Sequence, residues 1–118
     1  MVAADSNGLQ VTVWISNETI HTAWSTDHGA TWSPQGEAFT GSSGYKPTSI
    51  ATDGSGVFIM TLTSNSDVYY SRNVATYDTS WSWSGWSTPR RVIEHSHLIS
   101  CSSSAPQIEA ASNGSWMI

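Results

Sequence analysis

A single cysteine, Cys101, stands in the 118 residues, so the chain can form neither an internal disulfide nor a cysteine-rich zinc site. Basic residues are scarce: four Lys and Arg against nine Asp and Glu give a net charge of −5. An acidic chain of this kind is a poor electrostatic partner for nucleic acid or an anionic membrane. No apolar run approaches the roughly 18–20 residues that span a bilayer. No basic stretch followed by an apolar one reads as a signal peptide. No segment carries the apolar repeat of an amphipathic helix, and charged residues make up only 11% of the chain.

What is abundant points to β structure. Seven Trp, with many Val, Ile, Tyr, Thr and Ser, suit pleated and half-buried surfaces and argue against disorder. Alternating or apolar runs at 9–15, 19–25, 48–52, 57–63 and 68–71 are separated by Asn, Asp, Ser and Gly. Residues 91–93 and 107–111 are weaker candidates. Short strands joined by short turns predict an all-β fold of antiparallel hairpins and meanders.

The sequence also repeats itself. The segment 2–8 (VAADSNG) aligns with 50–56 (IATDGSG), so Asp5 and Asp53 are equivalent at an offset of 48 residues. Each is followed by an apolar strand and then by Ser16-Asn17 or Ser64-Asn65. Ala23-Trp24-Ser25 resembles Tyr69-Tyr70-Ser71, and 108–114 (IEAASNG) begins a third copy. A period of about 40–50 residues with four strands each is that of propeller blades, which bury their faces only by stacking. The expected division is blade 1 over about 2–45, blade 2 over about 46–104 and the start of a third over 105–118.

Within the first copy, Ser25-Thr26-Asp27-His28-Gly29-Ala30-Thr31-Trp32 fits Ser-x-Asp-x-Gly-x-Thr-Trp at every fixed position. The segment resembles the Asp-box, or bacterial neuraminidase repeat, of sialidases and related β-propellers. Ser25, Asp27, Gly29, Thr31 and Trp32 would then form a structural turn. Asp27 would accept backbone N–H groups, Gly29 would take a positive φ, and Trp32 would fold over the hairpin. A degenerate copy is expected to open at Ser71-Arg72-Asn73 and close at Gly85-Trp86-Ser87. The resemblance implies four-stranded antiparallel meander blades of a sialidase-like propeller. A closed ring needs about four to eight blades, so two and a half form an incomplete one. The expectation is a truncated frame that self-associates into a homo-oligomer, or a segment of a longer chain. For the parent family a secreted or periplasmic setting is implied.

Two functions are open. One is non-catalytic glycan recognition or scaffolding; the other is a fragment of a sialidase-like glycoside hydrolase whose catalytic residues lie mostly outside this chain. The family's hydrolases use three arginines for the substrate carboxylate, a Tyr–Glu pair and an acid Asp. Only Arg72, Arg90 and Arg91 occur here, Arg90 and Arg91 are adjacent, and the Arg-Ile-Pro signature is missing. No catalytic residue is assigned, no cofactor or metal is expected, and activity of the chain alone is not expected.

Tyr77, Asp78, Trp81, Trp83 and Trp86 form an aromatic insertion that would suit a glycan, aromatic faces stacking on sugar C–H surfaces. The competing reading is an edge strand whose alternate Trp residues pack on neighbouring blades. In a meander, Glu18, Asp67, residues 41–46 and the link 94–104 share the end opposite the Asp-box. In propellers similar to this one that end holds the ligand funnel, which makes Glu94, His95 and His97 candidate polar groups. His95 and His97 would share a strand face as a weak metal-binding pattern, or simply be exposed loop residues.

Overall fold

The computed structural model describes residues 1–41, 43–93, 109–110 and 116–117. The fold is all-β, and among the described residues there is no helix. The first sheet runs in chain order through β1 (Val2–Ala4), β2 (Gln10–Ser16), β3 (Thr19–Ser25) and β4 (Gly36–Glu37). The second comprises β5 (Lys46–Thr52), β6 (Val57–Ser64), β7 (Asp67–Tyr77) and β8 (Trp81–Trp83), with β9 (Arg90–Ile93) also paired to β7. A hairpin of β10 (Glu109–Ala110) and β11 (Trp116–Met117) follows. All pairings are antiparallel.

Turn chemistry fixes the registers. Asp5 Oδ1 accepts the amides of Asn7 and Leu9, at 2.9 and 3.0 Å. Asp53 Oδ1 accepts those of Ser55 and Val57, at 2.8 and 3.2 Å. Each Asp thus closes a five-residue loop before an apolar strand. The β2–β3 turn has Asn17 and Glu18 at φ 50° and 63°, and the β6–β7 turn has Asn65 and Ser66 at 50° and 68°. Two positive-φ residues between paired strands are the twist-compatible hairpin turn that Asn favours. The first hairpins match pair for pair: Ala4 faces Gln10, Thr52 faces Phe58 and Ala110 faces Trp116.

The register corrects one equivalence. Val11 faces Trp24 and Ile59 faces Arg72, so the 48-residue offset continues through β3 and β7. Ser25 is therefore equivalent to Asn73, not to Ser71. A two-residue slip keeps every side chain on its face, so alternation alone could not separate the alignments. Arg72 accordingly lies within β7 rather than in a turn. β7 runs on to Tyr77 and returns through β8, and this longer hairpin replaces the tight turn that follows Ser25. β9 pairs Arg90 with Tyr70 and Arg91 with Tyr69, as β4 pairs Gly36 with Thr22 and Glu37 with His21. It is the counterpart of β4.

One core lies between the two large sheets. Ala3, Leu9, Val11, Val13 and Ile20 meet Phe58, Met60, Leu62, Ala75 and Trp86. Burying each large side chain contributes roughly 1.5–3 kcal/mol. Trp86 donates from Nε1 to Thr22 Oγ1 at 3.1 Å across the interface, and Trp24 and Trp83 meet with ring centroids 5.7 Å apart. The first strands touch in succession, β1 against β5 and β5 against β10. Asn7 Nδ2 ties the first loop to Gly54 O at 3.2 Å.

Candidate functional site

The turn after β3 is closed by its own side chains. Asp27 Oδ1 accepts the Ser25 hydroxyl at 2.7 Å and the Thr31 amide at 2.9 Å, and Oδ2 accepts the Thr31 hydroxyl at 2.5 Å. Ser25 Oγ accepts the Gly29 amide at 2.9 Å. The Thr31 hydroxyl and amide, then the Ser25 hydroxyl, hold the Asp27 carboxyl down at about 2, because each bond favours the charged form. His28 and Gly29 take φ 59° and 82°. A Cβ on Gly29 would stand 3.0 Å from Gln10 Oε1, so the turn folds against the side of the sheet that carries Gln10. Every oxygen of Asp27 is engaged within the turn, which makes it a structural group.

Trp32 differs from expectation. Its Nε1 donates to Gly29 O at 3.1 Å, yet the residue stays 42% exposed. Next to it, Ser33 donates its amide to Trp24 O at 2.8 Å and accepts the Trp24 amide on Oγ at 3.0 Å. Ser87 makes the same clasp on Arg72, at 2.9 and 3.0 Å. Trp32 and Trp86 thus hold equivalent places, but Trp86 is only 7% exposed.

The aromatic insertion divides in two. Trp83 packs against Trp24 and Phe58, with both centroid separations 5.7 Å, and its buried Nε1 has no hydrogen-bond partner among the described residues. Trp83 and Trp86 hold the sheets together. Tyr77 and Trp81 face each other across the β7–β8 hairpin tip, 5.2 Å apart and edge to face. Tyr77 is 62% exposed, and Asp78 begins the exposed turn between them. Tyr77 and Asp78 are therefore exposed at the hairpin tip, and Trp81, half-buried against the core, backs the Tyr77 ring.

At the far end from the Asp27 turn, Ile15, Glu18, Ser43, Gly44, Tyr45 and Lys46 line a shallow depression of about 180 Å³. The sequence had assigned Glu18 and the 41–46 stretch to that end. It had not identified the ring cluster beneath. Tyr45 meets Phe39 and Tyr69 edge to face at 5.8 and 5.2 Å, and Arg91 lies over Tyr69 while its Nε stands 3.4 Å from Asp67 Oδ2. These residues come from three segments, the β4–β5 connection, β7 and β9, and the register of β9 on β7 brings Arg91 to Tyr69. Glu94, His95 and His97 lie outside the described residues.

Among the described residues no group of three or more His, Cys, Asp or Glu gathers as for a metal ion. Arg90 and Arg91 are successive on β9 and so point to opposite faces, while Arg72 is exposed on β7. These three arginines do not converge on one carboxylate-binding pocket. Comparison with known families, curated proteins and solved structures returns no match.

Proposed function

We propose that the chain is a segment of an Asp-box β-propeller whose role is non-catalytic, recognising a glycan or serving as a scaffold. The observation that carries this reading is the closed hydrogen-bond circuit of Ser25, Asp27, Gly29 and Thr31, set at the β3–β4 turn of a four-stranded meander. The equal registers of three successive hairpins and the contact of their first strands support stacking of like units around a common axis. Asp27 belongs to the architecture. The ligand platform is Tyr77, Asp78 and Trp81, where rings offer faces to sugar C–H groups and the carboxylate offers acceptors to hydroxyls. Trp83 and Trp86 support it from within.

The test is a glycan array read together with a fluorogenic sialoside assay on the same purified protein. Binding to a defined oligosaccharide that falls about tenfold or more in Trp81→Ala and Tyr77→Ser, without turnover, is expected. Sialoside hydrolysis that disappears when Arg72, Arg90 or Arg91 is changed would replace this reading with the hydrolase fragment. Folded protein with neither binding nor turnover leaves scaffolding alone.

A further inference from the structure

The loop between β1 and β2 carries chemistry that neither the core nor the proposed ligand platform uses. Asn7 precedes Gly8 there, and Asn7 is exposed. The Asn7 and Leu9 amides both donate to Asp5 Oδ1, at 2.9 and 3.0 Å. The Asn7 side chain donates from Nδ2 to Gly54 O at 3.2 Å, tying the first loop of one sheet to that of the next. Between the two bonded amides, the Gly8 amide has no acceptor among the described residues. A side-chain amide carbon is an electrophile, and the backbone nitrogen that follows an asparagine can close a ring on it. Closure is least hindered where the following residue has no Cβ to crowd that nitrogen. Gly8 meets this condition. Asn17, Asn65 and Asn73 do not, since they precede Glu18, Ser66 and Val74, and Asn73 is also buried. Asn113-Gly114 shares the dipeptide and lies outside the described residues.

We propose that Asn7 is a site of self-modification, converted by the Gly8 nitrogen into aspartate or isoaspartate with loss of the tie to Gly54. The bond from Gly8 N to Asn7 Cγ forms and the Cγ–Nδ2 bond breaks. The Gly8 amide proton leaves with Nδ2 as ammonia. Water then opens the cyclic imide at one of its two carbonyl carbons. Opening at Cγ gives aspartate; opening at the main-chain carbonyl gives isoaspartate, joined to Gly8 through its former side chain. Water is the only co-reactant. Both products lack the donor that reaches Gly54 O. The aspartate also brings a second negative charge to a loop where Asp5 Oδ2 is already buried and has no partner among the described residues. Isoaspartate adds a main-chain atom between the two amides that Asp5 holds, so the loop that sets the β1–β2 register no longer fits its aspartate. The second loop has Ser55 at the Asn7 position and is exempt. The inference depends on neither the glycan nor the propeller reading.

Ageing of the purified protein at physiological temperature and mildly alkaline pH tests it, followed by peptide mass spectrometry and enzymatic isoaspartate detection. In the folded protein Asn7 is expected to convert ahead of Asn17, Asn65 and Asn73, with isoaspartate among the products. Asn7→Asp, which reproduces one product, is expected to lower the thermal unfolding midpoint by about 2–4 °C. The wild-type midpoint should drift down on ageing, while that of Asn7→Ser, which carries the residue of the second loop, should hold. Asn7 that stays intact in the folded protein and converts only in urea overturns the proposal. Conversion of Asn17 or Asn65 at an equal rate overturns it as well, as does conversion of Asn7 that leaves the unfolding midpoint unchanged.

Discussion

The first and second sheets share their backbone plan and differ in what their equivalent faces meet. Both close the first loop with an aspartate that accepts two amides, and both turn β2 into β3, or β6 into β7, through an Asn at positive φ. Yet Phe58, Met60 and Leu62 are sealed in the core where Gln10, Thr12 and Trp14 stay half-buried. The lesson is a separation of tasks. Turn residues set the register of each unit, and the composition of each face sets how tightly it is covered.

The largest test of that contrast compares the equivalent tryptophans. Trp86→Ala removes a buried indole and its bond to Thr22, and is expected to cost about 3–5 kcal/mol in denaturant unfolding. Trp32→Ala should cost less than about 1 kcal/mol at concentrations where the chain is monomeric. Equal losses would erase the distinction.

A second pair is Gly8 and Gly56. A Cβ at Gly56 would meet the Ala75 carbonyl oxygen at 2.7 Å, on a residue at φ 95°. At Gly8 it would meet the His28 imidazole at 3.0 Å, a side chain that can swing aside. Both alanine variants are strained by positive φ, by roughly 1–2 kcal/mol. Thermal unfolding should show Gly56→Ala the worse, by about 1 kcal/mol or more, because backbone cannot yield.

Acid distinguishes the units differently. The Asp27 carboxyl, bonded by Thr31 and Ser25, is lowered from 3.8 to about 2. A depressed carboxylate stabilises the fold above its unfolded value, and the contribution is lost as pH falls from about 4 through about 2. The Thr31 amide resonance should titrate with a midpoint near 2 in wild type and not at all in Asp27→Asn. The second sheet has Asn73 at the Ser25 position and no such circuit, so amides around Ser87 should not follow. In Asp53, burial opposes ionisation but the Ser55 and Val57 bonds prevail, so its carboxyl too is lowered.

The smallest effects concern the paired turns. Glu18→Gly and Ser66→Gly relieve side chains held at φ 63° and 68°. Each should stabilise by up to about 1 kcal/mol, and by similar amounts if the turns are truly equivalent.

Much of this was legible in the sequence. The alternation of 9–15 and 19–25 located β2 and β3 to within a residue, and the Asn17 and Asn65 turns fell where the Asn-containing breaks stood. The Ser25–Trp32 motif foretold the Asp27 circuit, since each fixed position donates or accepts within the turn. Other features were hidden for physical reasons. The Ser25–Asn73 equivalence was masked because a two-residue slip preserves faces. The extent of β7 to Tyr77 is not legible in the sequence, because the Ser and Asn within it read as turn residues, and β8 shows there only as an edge strand within the insertion. The sequence also could not divide the five insertion residues into a buried Trp86, the half-buried Trp81 and Trp83 packed against the core, and an exposed tip of Tyr77 and Asp78. All three Trp carry the same local pattern, and the distinction arises only from where the neighbouring sheet sits.

Stacking of the second sheet on the first is measured most directly by a double-mutant cycle across their interface. Trp86→Phe removes the indole donor, Thr22→Val removes the acceptor, and the double variant removes both. Stacking as described requires a coupling energy of about 0.5–1.5 kcal/mol in equilibrium unfolding. Strictly additive losses would mean that Trp86 and Thr22 do not meet, and that the two sheets are not stacked through this face.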